Sequence, residues 1–311
     1  MSLVASSTLP PTLPPTLPPT LPPTLVVGPG SLEVRLITAK LAAQAGHTSA
    51  LYSGGDAKAE QAWQKLMYGK DYSDAGVDVD GSAAIISSVE DLGRFLSTAG
   101  AVCIVADSQP FAEGTCNTLL KNAPNVQRVV MVSRIGLTRA EPGPFGLGGG
   151  DVALRKSEDA IRAAVASRGL ELSVLRVGTL KGGGSGALEA GELVRSGSGD
   201  LGLHPCYYDT LAELETYMCT QSFDKFTNGA VLTPGDPYDL PNPLARAANR
   251  GSFEPNDAET SRIAAAAAAT YALSYPSALE VTLSSAKATQ PPTVDEWKAM
   301  FDSAAGAAAA A

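Results

Sequence analysis

The sequence predicts an α/β fold in which helices cover both faces of a doubly wound parallel sheet. Three observations support this prediction. Short apolar runs alternate with segments of helical spacing over residues 25–178, as expected for strands that are buried on both faces. The first run ends in the glycine turn Gly28-Pro29-Gly30, directly before a helical segment. Hydrophobic residues make up 44% of the 311 residues, which is enough to form one large core.

The elements of the first part follow from the spacing of the apolar residues. The predicted strands are Thr24–Val27, Ser49–Tyr52, Ala83–Ile86, Ala101–Ala106, Arg128–Val132 and Leu172–Arg176. The predicted helices are Leu32–Ala45, Asp56–Met67, Val89–Leu96, Phe111–Leu120 and Asp151–Ser167. Ser88-x-x-Asp91 is a helix-start signature for the third helix, because a serine at the cap can accept from free backbone N–H groups. This alternation of strands and helices fits right-handed crossovers.

The chain after Gly182 is less regular and is richer in glycine, proline and tyrosine. Its predicted elements are a strand at Ala230–Thr233, an Ala-rich helix capped near Asn256-x-x-Glu259, a strand at Leu279–Leu283 and a last helix capped by Thr293-x-x-Glu296. We expect residues 182–303 to complete the edge of the sheet and to form a small C-terminal lid region over the cleft. We expect Ala304–Ala311 to be a frayed tail.

The N-terminal residues 1–24 form a separate Pro-rich arm. Leu-Pro-Pro-Thr recurs without change from Leu9 to Thr24, and paired prolines favour an extended polyproline II conformation without a core. The arm is either a linker or a docking element for a partner that recognises proline. Met1–Thr8 is rich in small and hydroxyl residues and has no acidic residue, which indicates a plastid transit segment.

The composition excludes several classes of function. The formal net charge is -9, from 32 acidic and 23 basic residues, and we expect no nucleic-acid binding, since it requires clustered Lys and Arg. The four cysteines show neither a CxxC pairing nor a His at metal-ligand spacing, so no metal site is expected. Cys103 is expected to be a buried free thiol, which fits a reducing compartment. No stretch approaches the roughly 20 apolar residues that a transmembrane segment needs.

The glycine turn after the first strand is a candidate ligand site. In the dinucleotide-binding fingerprint, two glycines shape the turn under a pyrophosphate and a third lets the helix pack on the strand. Gly28 and Gly30 fill the first two positions, and Glu33 stands at the third. A bound pyrophosphate would lie over Gly28–Leu32, including Ser31, at the helix N-terminus. There the carboxylate of Glu33 would cost about 1–4 kcal/mol at about 4 Å, unless it points to solvent.

Two further positions border the same predicted cleft. The second strand ends in Tyr52-Ser53-Gly54-Gly55-Asp56, where an acid selects NAD and an arginine selects NADP. Neither signal is clear, and an ordinary Gly-rich turn is an equally good interpretation; Ser53 is the candidate at this position. Asp107 follows a buried strand, where ligands bind in open α/β sheets, or it caps the helical segment that follows.

In their order and spacing these motifs resemble the atypical short-chain dehydrogenase/reductases, specifically the NmrA-like group of plastids and cyanobacteria. The matching segments are Leu25-Val-Val-Gly-Pro-Gly30, Gly46-His47, Glu113-Gly114-Thr115, Arg128–Gly136, Lys156-Ser-Glu158, Leu172–Gly178 and Pro291–Trp297. The resemblance covers most of the chain from Leu25 onward and implies a Rossmann fold with an NAD(P)-binding core over residues 25–181. The expected cofactor is NADP or NAD, or none is bound. The candidate cofactor-binding residues are Gly28, Gly30, Ser31, Leu32, Ser53, Asp107, Ser133 and Lys156.

The resemblance also implies a proton relay. A Ser hydrogen-bonds the substrate carbonyl, a Tyr transfers the proton, and a Lys four residues later lowers the Tyr pKa. Lys156 matches the Lys, but Val152 stands at the Tyr position, and Arg134 stands after Ser133, where the catalytic Ser usually falls. Ser133 is expected to point to the opposite face of the sheet from Arg134, because successive side chains of a strand alternate between the two faces. The catalytic residues are therefore unknown, with Lys156 as the one matched relay residue.

The remaining polar candidates carry less weight. Tyr207 and Tyr208 could replace the missing Tyr from the lid, although no sequence pattern places them there. His47 is expected to have a surface or packing role, and His204 is expected to be an ordinary loop residue that could line the lid.

Three functions are compatible with the sequence. The first is a Rossmann protein without the relay, which acts with protein partners as a scaffold, assembly factor or redox-sensing subunit; Val152 and the Pro-rich arm favour it. The second is an NAD(P)H-dependent reductase or isomerase with an unusual site, which Lys156 favours. The third, RNA handling, is disfavoured by the acidic charge. The chloroplast stroma is the expected compartment, with the cytoplasm as the alternative.

Overall fold

The computed structural model describes residues 21–69, 82–140, 149–185, 201–237 and 259–310. The strands are β1 (Thr24–Val27), β2 (Ser49–Tyr52), β3 (Ala84–Ile86), β4 (Ala101–Val105), β5 (Arg128–Arg134), β6 (Glu171–Val177), β7 (Thr179–Lys181), β8 (Gly229–Pro234), β9 (Glu259–Ser261) and β10 (Glu280–Ala286). The main α-helices are α1 (Leu32–Gln44), α2 (Ala57–Tyr68), α3 (Val89–Leu96), α4 (Glu113–Lys121), α5 (Gly149–Ser167), α6 (Glu213–Met218), α7 (Arg262–Ser274) and α8 (Val294–Ala310).

Eight strands form one central sheet in the order β3-β2-β1-β4-β5-β6-β10-β8. Every neighbouring pair is parallel except β10 and β8, which run antiparallel at one edge. The strand order reverses at β1, which lies inside the sheet between β2 and β4. The predicted doubly wound parallel sheet of Rossmann type is therefore confirmed, and the turn after β1 lies where such sheets open a cleft.

Alternate side chains of the strands pack on opposite faces of the sheet. Val26 and Cys103 contribute to the core that α1, α7 and α8 cover, whereas Leu25, Val27 and Ile104 contribute to the core that α3, α4 and α5 cover. Both faces are thus apolar, which explains the unbroken hydrophobic runs in the sequence. Cys103 is a fully buried free thiol, as predicted, and burial raises its pKa to about 12.

Helix α7 packs against α1, and most of the buried residues of α7 are alanines. The buried alanines are Ala264, Ala265, Ala266, Ala268, Ala269 and Ala272, each at most 1% exposed. Methyl side chains let two helix backbones approach closely, because little side-chain volume separates them. This close packing brings Arg262, the first residue of α7, near the N-terminus of α1.

The structure corrects two predictions for the C-terminal part. Helix α7 is capped by Ser261, whose Oγ accepts from the Ala264 N–H, and Glu259 lies in β9 instead; Asn256 lies outside the described residues. The predicted frayed tail at Ala304–Ala311 is also wrong, because α8 continues through Ala310. Ala304 is 3% exposed, so the buried side of the helix extends past the predicted end.

Other predictions for helix ends and for the sheet edge are confirmed. The hydroxyls of Ser88 and Thr293 accept from the N–H of the third residue that follows each of them. Strands β8 and β10 complete the sheet edge. The Pro-rich repeat lies outside the described residues up to residue 20, as do residues 186–200 and 238–258 of the expected lid region. No described helix is long and apolar enough to cross a membrane.

Candidate functional site at the N-terminus of helix α1

The turn between β1 and α1 crosses directly over the end of β4. Gly28 has a φ of +130°, and a Cβ at this position would lie 2.1 Å from the carbonyl oxygen of Val105. A Cβ on Gly30 would lie 2.3 Å from Asp107 Oδ1, and the Gly30 N–H donates to Val105 O at 2.9 Å. Both positions therefore require glycine, because any side chain would overlap the end of β4.

Asp107 closes the N-terminus of α1. Its Oδ1 accepts a hydrogen bond from the Ser31 N–H at 2.8 Å, and the residue is 8% exposed. Burial raises the pKa of Asp107 above its ordinary value, although the hydrogen bond from Ser31 and the Arg262 guanidinium act in the opposite direction. The alternative that Asp107 caps the following helix is wrong, because α4 begins after Ala112 without a side-chain cap.

The Glu33 side chain turns towards the same end of α1. The alternative from the sequence, that Glu33 points to solvent, is therefore wrong. Its Oε2 accepts from Ser31 Oγ at 2.9 Å and lies 3.8 Å from Arg262 Nε. Burial alone would raise the pKa of Glu33, but the Arg262 guanidinium and the hydrogen bonds from the backbone and Ser31 lower it below its ordinary value. Glu33 is therefore ionised at neutral pH and forms an ion pair.

Arg262 is the residue at this site that the sequence prediction missed. Its Nη1 donates to Gly182 O at 2.6 Å, whereas among the described residues its buried Nε has no hydrogen-bond partner. Burial is the largest influence and would lower the Arg262 pKa, but Glu33 and the neighbouring acidic groups together raise it above its ordinary value. The signal in the sequence is an arginine at the start of a helical segment that contains no other charged residue.

Tyr207 reaches this site from the part of the chain after β7. Its hydroxyl lies 3.4 Å from Arg262 Nη1 and 3.5 Å from Gly182 O. Burial raises the Tyr207 pKa above its ordinary value, so the phenol stays protonated at neutral pH and can donate a proton or a hydrogen bond. Tyr208, by contrast, donates to the buried carboxylate of Asp224 at 2.8 Å. Burial raises the Asp224 pKa to about 6.

The residues at the expected relay positions take part in structural contacts. Ser133 is 1% exposed and donates to Glu158 Oε2 at 2.6 Å. The neighbouring Arg134 pairs with Asp151 at 3.2 Å on the first turns of α5. The Ser133 proton is already donated to Glu158, so this hydroxyl has no proton left to donate to a substrate carbonyl. Further along α5, Val152 is half-buried and Lys156 is exposed.

A buried ion network holds this part of the fold. Arg176 is 0% exposed and donates to both carboxylate oxygens of Glu158, at 2.7 and 3.0 Å, and to Glu280 Oε1 at 2.6 Å. Arg162 joins the same two carboxylates at 2.9 and 2.8 Å. Burial would raise the Glu158 pKa, but hydrogen bonds from Arg176 and its charge lower it. Charges and donors are thus matched within the network.

The segment after β5 is attached to this network through Asp236. Its Oδ1 accepts from the Gly136 N–H at 2.7 Å and its Oδ2 accepts from Thr138 Oγ1 at 2.7 Å. The same Oδ2 lies 3.7 Å from Arg176 Nε. The C-terminal end of β5, which carries the predicted relay position Arg134, is therefore fixed by contacts within the protein.

The other residues selected from the sequence lie apart from this cluster or serve the fold. Ser53 Oγ donates to Asp56 O at 3.1 Å in the turn before α2, and Leu32 packs against the core. His47 has a packing role and is not on the surface, with Nδ1 3.0 Å from Pro22 O. His204 caps a short 3₁₀ helix by accepting from the Cys206 N–H at 3.3 Å.

A nucleotide pyrophosphate does not fit the end of α1 in this arrangement. Asp107 accepts the Ser31 N–H, which would otherwise face a phosphate. Its Oδ1 also lies in the space that Gly30 leaves open. The carboxylate of Glu33 lies at the same helix end. A pyrophosphate would add further negative charge next to these two carboxylates. The predicted NAD(P) site is therefore occupied by the protein's own acidic side chains.

Within the described parts of the chain, no group of three or more His, Cys, Asp or Glu side chains could hold a metal ion.

No family model and no curated protein matches the sequence. Among solved structures, the chain is similar to UDP-N-acetylglucosamine 4-epimerase from Bacillus cereus, with 12% identity, 91% of this chain and 85% of the other covered, and a TM-score of 0.39. It is also similar to UDP-N-acetylglucosamine 4-epimerase from Methanobrevibacter ruminantium M1, with 11% identity and a TM-score of 0.45. That match covers 86% of this chain and 78% of the other. Similarity at this level says nothing about reaction or ligand.

Proposed function

We propose that this Rossmann-type protein acts through contacts with a protein partner, as a scaffold, assembly factor or redox-sensing subunit, and not through a Ser–Tyr–Lys proton relay. The observation that carries the proposal is the structural use of the relay positions. Ser133 donates to Glu158, and Arg134 pairs with Asp151. Val152 stands at the Tyr position, and its side chain has no ionisable group to transfer a proton.

Restoring the relay tests this proposal. Because Asp107 and Glu33 occupy the nucleotide site, the variants are made in an Asp107→Ala, Glu33→Gln background. There, Val152→Tyr combined with Arg134→Ser is expected to create carbonyl-dependent oxidation of NADPH that the background protein lacks, because a phenol near Lys156 can transfer a proton. The rate is measured at millimolar NADPH, so that weak binding does not hide turnover. The matched control is Val152→Phe with Arg134→Ser, which adds the ring without the hydroxyl. A wild type that reduces a carbonyl at an ordinary enzyme rate, roughly 1–10³ s⁻¹, would contradict the proposal.

The partner part of the proposal is supported by the Leu-Pro-Pro-Thr arm. A chain that is already extended loses little entropy when a partner binds it. Deleting residues 1–20 is expected to abolish co-migration with the partner in a native extract. Replacing the same residues by a Gly/Ser segment of equal length is the control for a simple spacer. If the Gly/Ser protein still migrates with the partner, the arm is a linker and does not dock.

We also propose the chloroplast stroma as the site of action, on the composition of Met1–Thr8. A fusion of the full chain to a fluorescent protein would locate it. A cytoplasmic signal would exclude the stroma but would leave the partner proposal open to the deletion test.

The second candidate function is an NAD(P)H-dependent reductase or isomerase with an unusual site. The observation that favours it is Tyr207, a buried and protonated phenol whose oxygen lies 3.4 Å from Arg262 Nη1. In that case Tyr207 would be the proton donor, and Tyr207→Phe would abolish a turnover that the wild type shows. If the wild type shows no turnover, this candidate is excluded.

A further inference from the structure

We propose that Asp107 and Glu33 act as a built-in anion that closes the N-terminus of α1 against phosphate-bearing ligands, with Arg262 as its counter-ion. The proposal concerns binding and does not rest on the absence of a relay, since a protein without a relay can still bind a nucleotide.

The hydrogen-bond donors at the N-terminus of α1 are already in use. The N-terminal N–H groups of a helix lack partners within the helix and attract anions. Here the Ser31 N–H donates to Asp107 Oδ1 at 2.8 Å. The Val34 N–H donates to Ser31 Oγ, which in turn donates to Glu33 Oε2 at 2.9 Å. These donors are therefore already bound, directly or through one hydroxyl, to carboxylates of the protein.

Asp107 also takes up the space beside Gly30 through which a phosphate would approach. Glycine at the second position of the turn allows a phosphate to approach the backbone, because it leaves the Cβ position empty. A Cβ on Gly30 would lie 2.3 Å from Asp107 Oδ1. The carboxylate oxygen therefore lies next to the volume that the glycine leaves empty. A ligand could reach the Ser31 N–H only after Asp107 had moved.

The charges at this end of α1 are already balanced within the protein. Arg262 lies 3.8 Å from Glu33, and Arg35 interacts electrostatically with both Asp107 and Glu33. Two cations thus face two anions, and a diphosphate would bring extra negative charge into a balanced group. The cluster nevertheless contains a donor that, within the described part of the chain, makes no hydrogen bond and faces only the Glu33 carboxylate. Among the residues that the structure describes, Arg262 Nε is buried without a hydrogen-bond partner. Neutralising the two acids would leave Arg262 to bind a phosphate.

The experiment titrates ADP into the full chain at pH 7 by isothermal calorimetry. The wild type is expected to bind with a Kd above about 1 mM, and Asp107→Ala with Glu33→Gln to bind roughly 100-fold more tightly, tenfold for each carboxylate removed. Adding Arg262→Gln to this pair is expected to remove the gain. The matched control is Asp295→Ala with Glu90→Gln, which makes the same change of charge in the first turns of α8 and α3 and is expected to bind like the wild type.

Two results would overturn the proposal. The first is micromolar binding of ADP to the wild type, because the closed helix end would then not exclude phosphate. The second is no gain in a double variant that keeps the circular dichroism spectrum and cooperative melting of the wild type. If the double variant does not fold, Glu33→Gln alone decides, since it preserves the side-chain volume and is expected to give roughly tenfold tighter binding. The relay experiment measures turnover, so failure of one proposal is separable from failure of the other.

Discussion

Replacing Arg176 by methionine is expected to lower the free energy of unfolding by about 3–5 kcal/mol. The side chain is fully buried and donates to both Glu158 and Glu280. Methionine fills a similar volume but cannot donate, so Glu158 keeps its charge in a buried site with fewer partners. Urea unfolding at pH 7 measures the change as a lower midpoint at an unchanged slope.

Two controls identify the cause of this loss. Arg94→Met removes an exposed pair with Glu90 on α3 and is expected to cost less than about 1 kcal/mol. Combining Arg176→Met with Glu158→Leu is expected to recover part of the lost stability, because the buried Glu158 carboxylate is removed, whereas the buried Asp236 still lacks the Arg176 guanidinium. A loss below about 1 kcal/mol for Arg176→Met alone would show that the network does not stabilise the fold.

The sign of the pH dependence follows from Glu158. Burial would raise its pKa, but the hydrogen bonds and charge of Arg176 lower it in the folded protein. A lowered folded pKa contributes stability above the unfolded pKa, and this contribution is lost as the pH falls through the folded pKa. In Arg176→Met the acid can be protonated more easily. The cost of this substitution is therefore expected to be smaller at pH 4 than at pH 7.

Gly28→Ala is expected to lower the free energy of unfolding by at least about 3 kcal/mol. The new Cβ would lie 2.1 Å from the carbonyl oxygen of Val105, and φ at this position is +130°. The end of β4 would have to move away from the turn, which would also disturb Asp107. The measurement is again equilibrium unfolding in urea.

Gly46→Ala is the matched control for backbone strain without overlap. Gly46 has a φ of +95°, and nothing lies within 4 Å of its Cβ position. The expected cost is about 1–2 kcal/mol, from the positive φ alone. The difference between the two variants isolates the contact with Val105. Equal losses would contradict the close approach of the turn to β4.

Much of the fold is predictable because local pattern and burial agree. The segments that begin at Leu25, Ala101 and Arg128 are mainly apolar over a length typical of strands. Each of them forms a strand inside the sheet. The start of α7 was less predictable. Asn256-x-x-Glu259 matches a cap signature, yet Ser261 is the cap and Glu259 belongs to β9. Residues 259–261 pair with β7 as strand β9, so the helix can begin only after Ser261. A local cap motif carries no information about this pairing.

The candidate site was predictable only in part, because its contacts join distant parts of the chain. The sequence indicates Gly28, Gly30 and an unusual acid at Glu33. It does not indicate that Asp107 turns back to Ser31, 76 residues away. It also does not indicate that Arg262 reaches Glu33, because that contact depends on the packing of α7 against α1.

The entry of the chain into the sheet has a mechanical consequence. The residues before β1 end at the amino edge of the sheet, where Pro23 O accepts from the N–H groups of Gly100 and Ala101. Strand β1 pairs with β2 on one side and with β4 on the other. A pulling force on the N-terminal arm along β1 would therefore shear two hydrogen-bonded ladders at once, and would not peel a strand from an edge. The glycine turn lies at the other end of β1, about 13 Å away at ~3.3 Å per residue.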